Sequence, residues 1–454
     1  MSGEASRWGV LRHRHFRIVF LASFGSSLGT WLEFVAIRWI VSQETKSETW
    51  MGYLAAAQLT PALILSLYAG LVADSVNRRT MLLVTQAFLM LVALAMAGLA
   101  WTDPANVHLW LLVTLAQGVG YAFSAPANQV LIPRLVPRDE LTRAITLQGI
   151  QFNLARVLGP VLGGTLMGLF GAPTLLIFNA CMFIAVMIAV SSTPDSPAPA
   201  EMSGKWKKPG EAVARVREAA TWVFTRRGPR ATLLAVVTFS LFATPVLNLL
   251  PLMISEVYGL EEDAFGLIVG AMGVGAVLGG FGMKLVPKWY PMHHFIPLSI
   301  LLGGVWILLF SLMRSPWPAG VCMFFVGIFW MWSFSSCISA MQMLVPDAMR
   351  GRIMSVVNMT AMGLMPLGTF AASKIGSMGE WAVKRWLPEW WDKGVGTQIG
   401  LVGVSCVLLV AGLVMIIWRT PEIDDIEPGN PGYDRRPGLI RGIRATAHRP
   451  PRGD

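Results

Sequence analysis

The sequence predicts an all-α membrane protein with twelve transmembrane helices in two six-helix halves, and three observations predict it. Of its 454 residues 54% are apolar and 14% charged, where a globular protein carries about 25% charged residues. The apolar residues gather in twelve runs of roughly twenty, each long enough to cross about 30 Å of hydrocarbon as a helix. Six runs precede a long polar break and six follow it. A backbone in lipid must satisfy its own hydrogen bonds, so runs of this length are read as helices.

In chain order the predicted spans are 16–41, 50–73, 80–101, 109–131, 143–170 and 173–192, then 232–257, 264–286, 295–313, 318–344, 353–377 and 397–418. The chain therefore divides into an N-terminal flank (1–15), a first half (16–192), a linker (193–230), a second half (231–418) and a tail (419–454). The basic stretch from Arg7 to Arg17 is read as a retained flank rather than a cleavable signal. The linker opens with Pro194, Pro197 and Pro199 and turns basic at Lys205, Lys207 and Lys208. Its second part spaces Val213, Val216, Ala220 and Val223 as one face of a helix, beside Arg215, Arg217 and Glu218. Either an amphipathic helix on the membrane surface or a plain tether fits that composition. The tail begins acidic, ends arginine-rich and is dense in proline and glycine, a composition that favours disorder.

The net charge of +10 would suit a nucleic-acid partner, but its distribution points to a bilayer instead. Of 36 lysines and arginines, 28 fall in the termini, the linker and alternate loops on one side, five on the other, and Arg38, Arg156 and Lys374 within spans. Positive charge collects on the cytoplasmic side, which places both termini there and makes nucleic acid an unneeded partner. The four cysteines all lie in apolar runs, with no disulfide or metal-ligand spacing.

Charge inside the spans is scarce and informative. Arg156, near the middle of the fifth, needs a partner, and Glu33 is the acid well inside a span, so a Glu33 to Arg156 pair across the first and fifth helices is one expectation. Such a pair would be a titratable switch, a static bridge, or give way to a Glu33 that faces water alone. Arg38, five residues beyond Glu33 and about 140° around the helix, is expected to snorkel to the outer interface. Asn153, Gln129, Asn248, Gln342 and Asn358 are candidates to line a cavity, although each could equally bind helix to helix. In the fifth span Gly159, Pro160, Gly163 and Gly164 allow close approach and bending, as a gating helix requires. Pro245 and Pro251 flank Asn248 in the seventh.

A weak repeat relates the halves. Gln129 to Pro133 closes the fourth span and Gln342 to Pro346 the tenth, each followed by a basic turn and a helix with a later proline. Duplicated halves about an axis normal to the membrane enclose a central substrate cavity.

Between the second and third spans, Gly70, Asp74, Arg78 and Arg79 form a polar hinge. That spacing resembles the signature loop of the major facilitator superfamily, with Ser75 where a base is common and Asn77 where glycine is common. Asn77 tolerates a left-handed backbone, so the turn is expected to survive. The Gly-Pro-x-x-Gly-Gly core from Gly159 resembles the fifth-helix motif of superfamily antiporters, with Ala155 at an expected glycine. Together with the turn from Val345 to Arg352, these motifs resemble the branch holding the enterobactin exporter and related drug and macrolide exporters. The resemblance implies a secondary active transporter of a bacterial plasma membrane, exporting a small amphipathic molecule by alternating access. It implies a proton gradient as coupling ion, no cofactor or metal, and a monomer whose partners are a small-molecule substrate and the lipid bilayer. An uptake carrier or facilitator, and a non-transporting sensor or scaffold on the same fold, are the alternatives. No Walker loop or nucleophile and base set is present, so an enzyme is not expected.

Overall fold

A computed structural model describes residues 7–131, 135–137, 140–194, 209–283, 285–286, 291–346, 349–390, 392–418 and 420–424. The first half consists of α1 (Arg14–Thr45), α2 (Glu48–Ser75), α3 (Arg78–Thr102), α4 (Val107–Leu131), α5 (Leu141–Phe170) and α6 (Ala172–Ser191). After the linker helix α7 (Pro209–Thr225) come α8 (Arg227–Phe242), α9 (Pro245–Leu252), α10 (Glu262–Gly282), α11 (Met292–Leu312), α12 (Pro316–Leu344), α13 (Arg350–Trp386) and α14 (Val395–Trp418). The seventh span is α8, α9 and a following π turn over Met253–Val257. Among the described residues nine helices are long and apolar enough to cross a membrane, α8 to Val257 counting as one. Helices α2, α5 and α13 complete the twelve.

Packing repeats between the halves. Helix α2 lies on α4 as α10 lies on α12, and α3 lies on α6 as α11 lies on α14. The second helix of each half also packs on the fifth of the other, α2 on α13 and α10 on α5. That exchange is what a two-fold axis normal to the membrane produces. With lipid outside, close backbone approach holds such helices together. The α10 to α12 contact shows it, because a Cβ on Gly275 would meet the Phe324 carbonyl and one on Gly327 the Met272 carbonyl. Replacing Gly327 by valine should therefore cost about 1–3 kcal/mol, read as a lower thermal midpoint of the purified protein in detergent. An unchanged midpoint would show that the seam yields.

Several local expectations are revised. Asn77 is extended (φ −64°, ψ 117°), not left-handed, and its side chain caps α3 by accepting from the backbone N–H of Arg79 at 3.0 Å and of Thr80 at 3.4 Å. Asparagine serves here as a helix cap, so no glycine-like turn is needed. The Arg79 guanidinium donates to the carbonyl of Ser191 at the end of α6, where a cation suits the helix dipole. His293 and His294 lie in the first turn of α11. The tail starts with a 3-10 turn, Pro421–Asp424, whose Ile423 is buried, while Arg227 pairs with Glu422 at 3.4 Å. Residues 425–454 lie outside the described residues.

Candidate functional site at the seam between the halves

Helix α1 supplies the centre of the site. Trp31, Phe34 and Arg38 stand three and four residues apart, hence on one face. The Trp31 and Phe34 ring centroids are 5.3 Å apart, and the Arg38 guanidinium carbon lies 3.4 Å from the Phe34 centroid. Arg38 is 3% exposed rather than snorkelled to the interface. Its Nε donates to Asn248 Oδ1 at 2.7 Å, one terminal nitrogen to Gln58 Oε1 at 2.9 Å, and the other to the Phe34 carbonyl at 3.3 Å. Gln58 donates to Gln117 Oε1 at 3.4 Å, and Asn248 Nδ2 donates to Thr369 Oγ1 at 2.9 Å. A polar chain thus runs from α4 through α2 and α1 to α9 and α13, crossing from one half to the other at Arg38. Pro245 starts α9 after the break at Ala243 and Thr244, and Asn248 follows one turn later.

Glu33 occupies a polar pocket against α6 of the first half, near enough to Arg38 on the same helix for the two charges to act on each other. It is 1% exposed, and its Oε2 accepts from Asn179 Nδ2 of α6 at 2.5 Å. Oε1 of Glu33 and Oδ1 of Asn179 have no hydrogen-bond partner among the described residues. Gly29 admits this contact, since a Cβ there would strike Asn179. Beside it, the hydroxyls of Thr30 and Tyr121 are 3.3 Å apart. The expected partner, Arg156, lies on α5, but its side chain is outside the described residues, as are those of Asn153, Gln129, Asn358, Asp74 and Arg78 and the packing at Gly70.

The fifth-helix glycines contact both halves. A Cβ on Gly159 would meet Trp31, one on Gly163 would meet Val35, and one on Gly164 would meet the backbone of Gly266 in α10. Pro160 is buried inside a continuous helix. Gln342 is exposed on α12, away from the polar chain.

The halves meet at the end of the bundle where α1 finishes. There the Thr397 hydroxyl of α14 donates to Glu48 Oε1 of α2 at 2.8 Å, Lys46 lies 3.7 Å from Glu256, and the Tyr53 and Phe370 rings are 5.8 Å apart. Glu48 precedes the second apolar run. Burial raises its pKa above the usual carboxyl value and the carboxylates of Glu380 and Glu256 add to the rise, against lowering by its own backbone and the Thr397 hydroxyl. At the opposite end, Arg12 and His13 both reach Glu140, His13 at 2.8 Å, and fix the N-terminal 3-10 turn (Arg7–Arg12) to the start of α5.

Sequence reasoning placed Asn248 among cavity candidates but missed the role of Arg38 and passed over Gln58. The signal was the shared face of Trp31, Phe34 and Arg38, which directs the arginine along an aromatic stripe rather than toward lipid.

The transmembrane secretion effector family matches residues 5–434. The staphyloferrin A transporter of Staphylococcus aureus is 24% identical over 359 residues, spanning 78% of this chain and 87% of that protein. The multidrug efflux pump Tap of Mycolicibacterium fortuitum is 23% identical over 428 residues, 90% of this chain and 96% of its own length. Among solved structures, a bacterial homologue of the human lysosomal transporter Spinster, inward-facing and unoccupied, superposes with a TM-score of 0.72 at 14% identity, covering 91% of this chain and 99% of that one. A D-xylose–proton symporter gives 0.66 at 14% identity, with 88% and 97% covered. With a family match over nearly the whole chain and the twelve-helix architecture already described, the protein belongs to the transmembrane secretion effector family of major facilitator transporters, a multi-pass membrane protein that handles small molecules and not an enzyme.

Proposed function

We propose that this transporter exports a small amphipathic molecule across a bacterial plasma membrane by rocking its two halves, in exchange for protons. The observation that carries the reading is the buried carboxyl of Glu33 on the helix that also bears Arg38, the residue bridging the halves. Among the described residues Glu33 has one neutral donor and an oxygen to spare, so binding or releasing a proton there changes a buried charge by one unit. A charge change on α1 biases two arrangements of the halves only if it differs in energy between them. The Arg38 to Asn248 contact supplies an element that differs.

Orientation follows from charge. With 28 basic residues on the side of the termini and five on the other, the joined end of the seam faces outward. The staphyloferrin A transporter and the multidrug efflux pump among the relatives support a small-molecule cargo, and the efflux pump supports export as its direction.

The test is substrate flux in proteoliposomes with and without an imposed pH gradient. Gradient-driven movement of a siderophore or drug, with proton counterflux, is expected. Flux indifferent to the gradient would remove the exchange step, and no flux for any compound of a broad panel would favour a sensor or scaffold.

Glu48 makes a second expectation about the outer seam. A raised pKa means the closed seam holds the protonated carboxyl better than an exposed site does. Closure is therefore favoured below the ordinary carboxyl value and loses that support as pH climbs through the window up to the raised one. Spin labels placed either side of the seam at the outer end should move apart as pH rises. Glu48→Gln should flatten the response, and an unchanged profile in that variant would remove Glu48 as its source.

A further inference from the structure

We propose that Arg38 is an anion-recognition site, and that the cargo carries a carboxylate which takes the places now held by Asn248 and Gln58. This rests on the transport reading above and adds the chemical class of the cargo. A buried guanidinium ordinarily has an anion against it, because desolvating a charge is costly without one. Arg38 is 3% exposed, yet among the described residues its hydrogen-bond acceptors are Asn248 Oδ1, Gln58 Oε1 and the Phe34 carbonyl, all neutral, and Glu33 of the same helix acts on it only through space while hydrogen-bonded to Asn179. Two of the three are amide side-chain oxygens, which resemble carboxylate oxygens in geometry without their charge. Charge-assisted, bidentate contact from arginine to a carboxylate is roughly twice as strong as contact to a neutral oxygen. A ligand carboxylate would therefore displace the two amides.

Two further observations fit a ligand at this place. Gln117, 1% exposed and next along the chain from Gln58, has its Nε2 without a partner among the described residues, a donor that a second anionic oxygen or a displaced amide could use. Below Arg38, the rings of Phe34 and Trp31 continue along the same face, a wall for an apolar body whose charged end reaches the guanidinium. Exchange at Arg38 also breaks its bond to Asn248 and with it one tie between the halves, so occupancy and opening of the seam are coupled.

The experiment uses the full chain in lipid nanodiscs. Binding of dansylglycine is compared with that of its uncharged amide by fluorescence. The carboxylate is expected to bind at least about tenfold more tightly than the amide in the wild type, the difference a charged acceptor makes on a buried guanidinium. Arg38→Gln should remove that preference, bringing the two probes to about equal affinity. Because loss of Arg38 could also impair folding, Asn248→Asp is the second variant. It keeps the shape and places a built-in carboxylate on Arg38, so carboxylate binding should fall about tenfold or more with the protein monodisperse. Equal affinity of the two probes in the wild type, binding of neither, or a carboxylate preference that survives in both variants overturns the proposal. Carboxylate-selective binding without flux of any cargo in proteoliposomes would instead overturn the transport reading and leave the anion site standing. Gradient-driven flux of a carboxylate-bearing cargo unchanged by Arg38→Gln would do the reverse.

Discussion

Glu33→Gln is expected to end proton-driven accumulation in proteoliposomes while the protein stays folded. The pocket explains both halves of that result. Asn179 donates to one oxygen of Glu33, and the second oxygen and the Asn179 carbonyl oxygen lack partners among the described residues. A glutamine amide would keep the acceptor and bring a donor to Asn179 Oδ1, making a reciprocal amide pair. One added buried hydrogen bond contributes about 0.5–1.5 kcal/mol, so the thermal midpoint should hold or rise. What disappears is the group that can carry charge in one state and not in the other. Accumulation driven by an imposed pH gradient should fall to the level of protein-free liposomes, and exchange of labelled for unlabelled cargo should persist. Preserved gradient-driven accumulation would remove Glu33 from coupling. A lowered midpoint with exchange also lost would make the contact structural.

Gly164→Leu should give the second large effect. A Cβ at Gly164 would fall on the Gly266 backbone of α10, in the opposite half. Backbone cannot swing aside as a side chain tip does, so α5 and α10 would have to separate where the halves join. Overpacking of this kind costs about 1–3 kcal/mol, and applied to one of two arrangements it shifts their ratio by about 5- to 150-fold. The variant should favour the arrangement in which α5 and α10 are apart, with transport reduced and a cysteine at the outer seam newly reactive to an impermeant thiol reagent. Gly159→Ala meets Trp31 within the first half and should lower stability without that change in reactivity. Equal reactivity in both variants would show that the crossing is not part of the moving seam.

The two substitutions also mark how far the sequence could be read. The bundle was legible because membrane crossing depends on length, apolarity and charge sidedness, each a property of contiguous residues. The glycines of the fifth span were legible as close-approach points, but not that Gly159 meets α1 while Gly164 meets α10. Five residues of helix, a net rotation of about 140°, turn the second glycine toward the other half, and no local pattern says which neighbour waits there. Asn77 was legible as a turn residue, and its backbone then chose capping over a left-handed conformation because α3 starts at the next residue.

The least legible part was the charge. From sequence, Arg38 looked like a residue that escapes to the interface, since the alternative is to bury a cation among residues hundreds of positions away. Asn248 and Thr369, which hold that alternative together, are 210 positions from Arg38 and 121 from Asn248, respectively. By itself the sequence determined a lipid-embedded bundle of two related halves with few interior charges, because hydrophobic length and charge placement act locally along the chain. Only the tertiary structure decided that Glu33 meets Asn179 and Arg38 meets amides at the seam, because a buried polar group takes whatever partner the packing of distant helices brings within hydrogen-bond reach.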